Sequence, residues 1–128
     1  RNFDRKKIID ALHQAKSWRK QLSFVNISKQ LEPSWFGLPM LLNKKYINKK
    51  KRYLDLLNKN NIETRPILSG NFMNQESIKL YNLNPKNIIY PNSQEIEDRG
   101  FFIGLHTKPI TNNELQKLIK QLLSIEEI

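Results

Sequence analysis

Along residues 4–22, DRKKIIDALHQAKSWRKQL, the apolar positions fall at Ile8, Leu12 and Ala15, then at Trp18 or Arg19, then at Leu22. Steps of three and four residues predict an amphipathic helix. Asp4 suits its positive end, as a cap or through the helix dipole, whereas Arg5, Lys6 and Lys7 oppose that dipole. The period is lost over 23–33, which ends at Pro33 and reads as irregular. From Trp35 to Leu42 the chain is nearly continuously apolar, but Gly37 and Pro39 interrupt it. It is too short and too broken for a helix and predicts a mostly buried strand at 36–42, with the proline at an edge or bulge. In 44–60, KKYINKKKRYLDLLNKN, Tyr46, Tyr53, Leu54 and Leu57 share one helical face, and Lys49, Lys51, Arg52 and Asp55 share the wet one. Asn60 and Asn61 supply a stop, because Asn tolerates the left-handed conformation.

The second half is more broken. Residues 62–64 begin a short strand that Pro66 closes, and 72–82 predict a short helix. A turn-rich connector at 83–91 carries Pro85 and Pro91, and 92–99 predict one or two helical turns. GFFIGLH at 100–106 reads as a strand. Thr111 with Glu114 forms a capping box ahead of Leu115, Leu118, Ile119, Leu122 and Leu123, the clearest helical stripe in the chain. The order helix, strand, helix, strand, small helices, strand, helix predicts an α+β fold: a small antiparallel or mixed sheet with helices packed on one side. A sheet this sparse buries little alone, which points to a domain resting on a larger partner.

Composition narrows the picture. At 128 residues, 38% hydrophobic and a mean hydropathy of −0.63, one domain with a modest core is expected. No apolar run approaches the roughly 18–20 residues that cross a bilayer, and the charged opening RNFDRKK is unlike a secretory signal. The sequence starts at Arg1 rather than Met, and the expectation is a piece of a longer polypeptide. Without cysteine there is no disulfide framework and no thiolate metal site. His13 and His106 are far apart and show no metal-ligand spacing. Residues 1–60 hold 15 Lys and Arg against 4 Asp and Glu; the remainder hold 7 against 8. Such a field attracts nucleic acid, phosphorylated ligands or an acidic surface, or is simply a solvated basic face. A free-standing basic module using Lys44, Lys45, Lys49, Lys50, Lys51 and Arg52 is therefore the alternative function, although aromatics are not interleaved with these cations.

Self-contained chemistry is poorly supported. Ser69 lacks a G-x-S-x-G setting, and phosphate-binding and dinucleotide-binding glycine motifs are missing. Arg65 stands apart because Pro66 pushes it towards extended geometry, which fixes a guanidinium able to grip carboxylate or phosphate with two bonds. Gly70 permits close backbone approach, and Asn71 and Gln75 offer donors and acceptors to hydroxyl groups. The competing possibility is a structural ion pair at Arg65 and a plain turn at Gly70–Asn71.

ETRPILSGNFMNQ, with SWFGLPMLL upstream and DRGFFIGLHTKPITNNEL downstream, resembles the end of the DegT/DnrJ/StrS family. The three blocks agree in order and approximate spacing, and with the flanking helices the resemblance covers residues 1–126. It implies the C-terminal small domain of a fold-type-I enzyme dependent on pyridoxal 5'-phosphate (PLP). Residues 1–22 would be the connecting helix and 34–128 the α+β core, with the large cofactor-binding domain absent. Such enzymes act on nucleotide-linked keto-sugars as aminotransferases or 3-dehydrases, in lipopolysaccharide or other polysaccharide biosynthesis. The resemblance further implies a cytoplasmic homodimer with neither nucleic acid nor membrane as partner. A lysine of the large domain binds the cofactor, replaced by histidine in the 3-dehydrase branch, so this chain is expected to hold no catalytic or cofactor residue. By resemblance, Arg65, Asn71, Ser69, Ser34 and His106 line the substrate cleft. Many sugar aminotransferases carry a histidine after the R-P pair; the SGN found here resembles the 3-dehydrase branch instead.

Overall fold

The structure is a computed structural model that describes residues 1–15 and 17–128. Four antiparallel strands form one sheet: β1 (Leu22–Phe24), β2 (Gly37–Leu42), β3 (Thr64–Arg65) and β4 (Gly100–Gly104), in the order β1-β2-β4-β3. Register sets the core. Leu22 lies opposite Leu42, Met40 opposite Phe101, and Leu38 opposite Ile103, and all six are buried. Alternation then places Pro39, Leu41, Phe102 and Arg65 on the other face. Pro39 lies just beyond the end of β1, which stops opposite Met40, so at that point β2 has a partner on one side only.

Helices α1 (Asn2–Gln14), α3 (Lys50–Lys59) and α6 (Asn112–Leu122) supply Ile8, Leu12, Tyr53, Leu57 and Leu122 to the core over the first face. Tyr53 is fully buried, meets Phe101 edge-on at 5.9 Å, and donates its hydroxyl to the Leu122 carbonyl at 2.7 Å. Burial pushes its pKa up, since a phenolate there would be desolvated. The Thr111–Glu114 capping box forms as the sequence implies: the Thr111 hydroxyl accepts from the Glu114 N–H, and the Glu114 carboxylate accepts from the Thr111 N–H. Beyond α6 a 3-10 turn, Ser124–Glu127, buries Ile125. There Glu126 accepts from the Tyr46 hydroxyl and from Lys45, and Lys49 donates to the Ile128 carbonyl at 2.7 Å.

Several boundaries differ from expectation. The helix predicted over 4–22 includes Lys16, which lies outside the described residues; on either side α1 ends at Gln14 and α2 (Trp18–Gln21) runs straight into β1. Ala15 is extended, and Trp18 stacks on His13 at 4.5 Å and on Phe24 at 5.4 Å. The region read as irregular therefore begins inside the sheet. Asp4 is buried in the first turn and accepts from the Ile110 N–H at 3.3 Å, so it ties two segments together and does not cap its own helix. The helix predicted over 44–60 opens as a 3-10 turn, Lys44–Lys49, which Asn43 caps through its side chain. Its stop works as read, with Asn61 left-handed at φ 62°. The helix predicted over 72–82 splits into a 3-10 turn, Phe72–Asn74, and α4 (Glu76–Leu80). Finally, α5 (Pro91–Arg99) carries Pro91 in its first turn and leads directly into β4.

Candidate functional site

The loop after β3 is built by polar contacts. Asn58 fixes the start of that strand, accepting from the Thr64 N–H at 3.0 Å and donating to the Thr64 hydroxyl at 2.8 Å. Arg65 follows at the sheet edge opposite Phe102. Its guanidinium is exposed, and its Nε donates to Glu63 Oε1 at 2.9 Å. An ion pair this exposed is screened by water and readily exchanged for a better anion. Arg65 thus makes an exposed ion pair within the chain.

Ser69–Gly70–Asn71 is held by α5. Gly70 is left-handed, at φ 65°, and a Cβ there would come within 2.8 Å of the Glu97 side chain. Glu97 accepts from the Asn71 N–H at 2.6 Å and from the Asn74 side chain at 2.9 Å. The side-chain oxygen of Gln94 accepts from the side chains of Asn71 and Asn74, at 2.9 and 3.0 Å. The remaining Asn71 oxygen accepts from the Met73 N–H at 3.1 Å. Asn71 is buried, and its side chain is committed to the protein. The close neighbour at Gly70 within the chain is Glu97. The Asn71 side chain thereby fixes the loop to α5. Gln94 and Glu97 went unnoticed in the sequence. They sit three apart in NSQEIEDR, the spacing that puts two acceptors on one helical face.

The other expected positions are exposed. Ser34 lies between the Pro33 carbonyl and the Trp35 N–H, which bond the donor and acceptor atoms of the Asn2 side chain, each at 3.3 Å. His106 follows β4, whose pairing continues through Leu105 N–H to the Phe36 carbonyl at 2.9 Å. Antiparallel register thus brings Ser34 and His106 to one end of the sheet. Ser69 and Asn71 lie towards the Gly100 end, where Ile67 approaches within 2.9 Å of a Cβ built at that glycine, and Arg65 stands between the two groups. The five residues are thus spread from one end of the sheet to the other, with Arg65 on the face that carries Phe102. On that face Phe36, which is 66% exposed, meets Phe102 edge-on at 5.4 Å.

A cavity of about 600 Å³ opens elsewhere, beside α1, α2 and β1, lined by Arg5, His13, Trp18, Arg19, Phe24 and Asn26 among others. None of the five expected residues lines it. Arg5 lies 4.5 Å over the Trp35 ring, and burial lowers its pKa. Four cations of the basic stretch are engaged within the chain: Lys44 with Glu95 at 2.7 Å, Lys45 with Glu126, Lys49 with the Ile128 carbonyl, and Lys50 with the Glu97 carbonyl at 2.7 Å. Desolvation lowers the Lys50 pKa, offset in part by Asp98 and Glu97.

No protein-family model matches the chain. A GDP-4-keto-6-deoxy-D-mannose 3-dehydratase from Escherichia coli O55:H7 is 33% identical over 76 residues, which are 59% of this chain and 19% of that protein. An enzyme of the same name from Yersinia pseudotuberculosis is 28% identical over 104 residues, 80% of this chain and 25% of that protein. Among solved structures, the Escherichia coli 3-dehydratase with bound hydrated PLP superposes with a TM-score of 0.69 at 25% identity, covering 93% of this chain and 30% of that one. A Streptococcus pneumoniae protein assigned as a sugar aminotransferase, in its PMP form, gives a TM-score of 0.73 at 17% identity, covering 97% and 30%; at that identity it speaks for the fold alone. The chain spans no more than about 30% of the length of these relatives.

The α+β architecture is thus one found within PLP-dependent enzymes of the aminotransferase fold. Within that class, the chain is homologous to part of the DegT-type sugar enzymes. These enzymes use PLP, yet the described residues do not build a site for it around that cavity. A PLP site needs a lysine or, in the 3-dehydrase branch that the sequence resembles, a histidine, with an acidic or basic partner for the ring nitrogen. Among the described residues neither a lysine nor a carboxylate lines the cavity beside α1, its His13 is stacked on Trp18, and the lysines of 44–50 are committed as above. No reaction step is therefore assigned to this chain's side chains.

Proposed function

We propose that this chain is the C-terminal small domain of a PLP-dependent enzyme acting on nucleotide-linked keto-sugars, of the 3-dehydrase branch. The observation that carries this reading is the agreement of sequence and fold: two relatives named as GDP-4-keto-6-deoxy-D-mannose 3-dehydratases, one matched over 80% of the chain, and a solved 3-dehydratase covering 93% of it. Residues 1–22 link to the cofactor domain, and 34–128 form one wall of the substrate cleft. The enzyme is read as a cytoplasmic homodimer serving polysaccharide biosynthesis, lipopolysaccharide included, with a nucleotide sugar as substrate.

In this reading Arg65 grips an anionic or hydroxylated part of the substrate, exchanging Glu63 for it. Ser69 lies on the same loop, which Asn71, Glu97 and Gln94 fix in place; Ser34 and His106 border the far end. A group that binds substrate and transition state alike sets KM more than kcat. Replacing a charge-assisted hydrogen bond forfeits about 1.5–3 kcal/mol. In the polypeptide translated with its upstream sequence, Arg65→Ala should raise KM by roughly ten- to a hundredfold, with kcat little changed. An unchanged KM removes Arg65 from the cleft. Incubation with GDP-4-keto-6-deoxymannose, PLP and an amino-acid amino donor decides the branch: loss of the 3-hydroxyl supports the dehydrase, gain of an amino group the aminotransferase, and neither product overturns the proposed function.

A further inference from the structure

The cavity beside α1, α2 and β1 gathers positive charge that the chain does not neutralise. Arg5 and Arg19 line it together with His13, and neither arginine forms an ion pair among the described residues. The Arg5 Nε is buried and has no hydrogen-bond partner among those residues. A guanidinium stays charged at any ordinary pH, and leaving its buried N–H unpaired costs free energy. An anion in the cavity would supply the acceptor that the chain withholds. Both cations are also held in place, Arg5 at 4.5 Å over the Trp35 ring and Arg19 at 5.5 Å over the Trp18 ring. A planar fork resting on an aromatic face has given up much of its freedom before any anion arrives.

The rest of the lining is flat and apolar. His13, Trp18 and Phe24 stack as a column, with ring centroids 4.5 and 5.4 Å apart. Val25 and Ile27 line the cavity yet stay exposed, and Asn26 adds an amide that both donates and accepts. At about 600 Å³ the space exceeds what an inorganic anion fills and falls in the range of small-molecule sites. We propose that the cavity binds a nucleoside phosphate, with Arg5 and Arg19 on the phosphate oxygens, the base stacked on the column at its exposed His13 end, and the edge of the base bonded to Asn26. A phosphate monoester carries about two charges, enough to engage both guanidiniums, whereas a carboxylate satisfies one. Stacking on an aromatic face tolerates any base, so the ring is fixed by shape and the phosphate by charge. Strand β1 and the Arg65 strand β3 are opposite edges of the sheet, and binding at the two places can be read separately.

Calorimetric titration of ADP, inorganic phosphate and adenosine into the polypeptide translated with its upstream sequence tests the site. ADP is the probe because its base differs from that of the GDP-sugars for which the relatives are named. It should occupy one site per chain with a Kd below about 1 mM, and phosphate and adenosine should each bind at least about tenfold more weakly. Arg5→Gln and Arg19→Gln should each weaken ADP by roughly ten- to a hundredfold, while Arg65→Ala leaves it within about twofold. Arg19 is exposed, so Arg19→Gln carries the test where Arg5→Gln fails to fold. Asn26→Ala should weaken ADP and leave phosphate unchanged. No binding of ADP up to about 10 mM overturns the inference, whether the cavity is unfit or is filled by the upstream part of the polypeptide. ADP binding that Arg65→Ala abolishes and Arg19→Gln leaves unchanged overturns it as well. So does phosphate binding as tight as that of ADP, because the aromatic wall then contributes nothing.

Discussion

The sheet with its three long helices and the excursion from Pro66 to Arg99 are stabilised in opposite ways. In the first, fourteen buried apolar side chains interlock, and polar contacts trim the ends. In the second, Ile78 is the one apolar side chain buried, and position is kept by Glu97, Gln94, Asn71 and Asn74. Apolar burial stabilises in proportion to area, about 25 cal/mol per Å², and has no preferred direction. Hydrogen bonds net about 1 kcal/mol each but define geometry. The body is therefore built for stability and the excursion for shape, as suits a segment that presents Ser69.

The contrast can be broken most forcefully at Phe101. It is fully buried between Tyr53 and Met40, and Phe101→Ala should cost about 3–5 kcal/mol of global stability by urea unfolding. Gly70→Ala combines a left-handed backbone with a Cβ driven into Glu97, at a cost of about 1–3 kcal/mol. Faster hydrogen exchange confined to 67–75, with little change in the main melting transition, is the outcome expected of a polar clamp; a global loss would erase the distinction. Thr111→Ala should remove about 1 kcal/mol from the body by breaking the capping box, seen as a shift in urea midpoint at constant slope. The smallest effect is pH-dependent. Hydrogen bonds from Tyr46 and then Lys45 hold the Glu126 carboxyl below the usual carboxylate range. A folded-state pKa below the unfolded one adds stability above the unfolded value and loses it as pH falls through the folded one. The melting-temperature gap between wild type and Glu126→Gln should be present at neutral pH and close below about pH 4. A gap that persists at low pH would assign the latch to packing and not to charge.

Much of the body was legible in the sequence, because apolar period reports burial directly. The strand at 36–42, the α6 stripe and the Thr111–Glu114 cap each follow from residues adjacent in sequence. Where partners are distant the signal fails. Nothing near Ala15 marks the end of α1, since the break is fixed by Trp18 settling between His13 and Phe24. The amide of Asn71, in a glycine-bearing loop, looks available in the sequence; in the structure Gln94, 23 residues on, accepts from it, and Glu97 accepts from the Asn71 backbone N–H. Arg65 is the converse case. Pro66 foretells its extended backbone, and the structure keeps it exposed with a partner two residues away.

The bonds from Tyr53 to Leu122, from Tyr46 to Glu126 and from Lys49 to Ile128 span 69 to 80 positions and tie the middle of the sequence to its last turn. A nascent chain emerging from the ribosome therefore cannot seal Tyr46 and Tyr53 until residues 122–128 have been made.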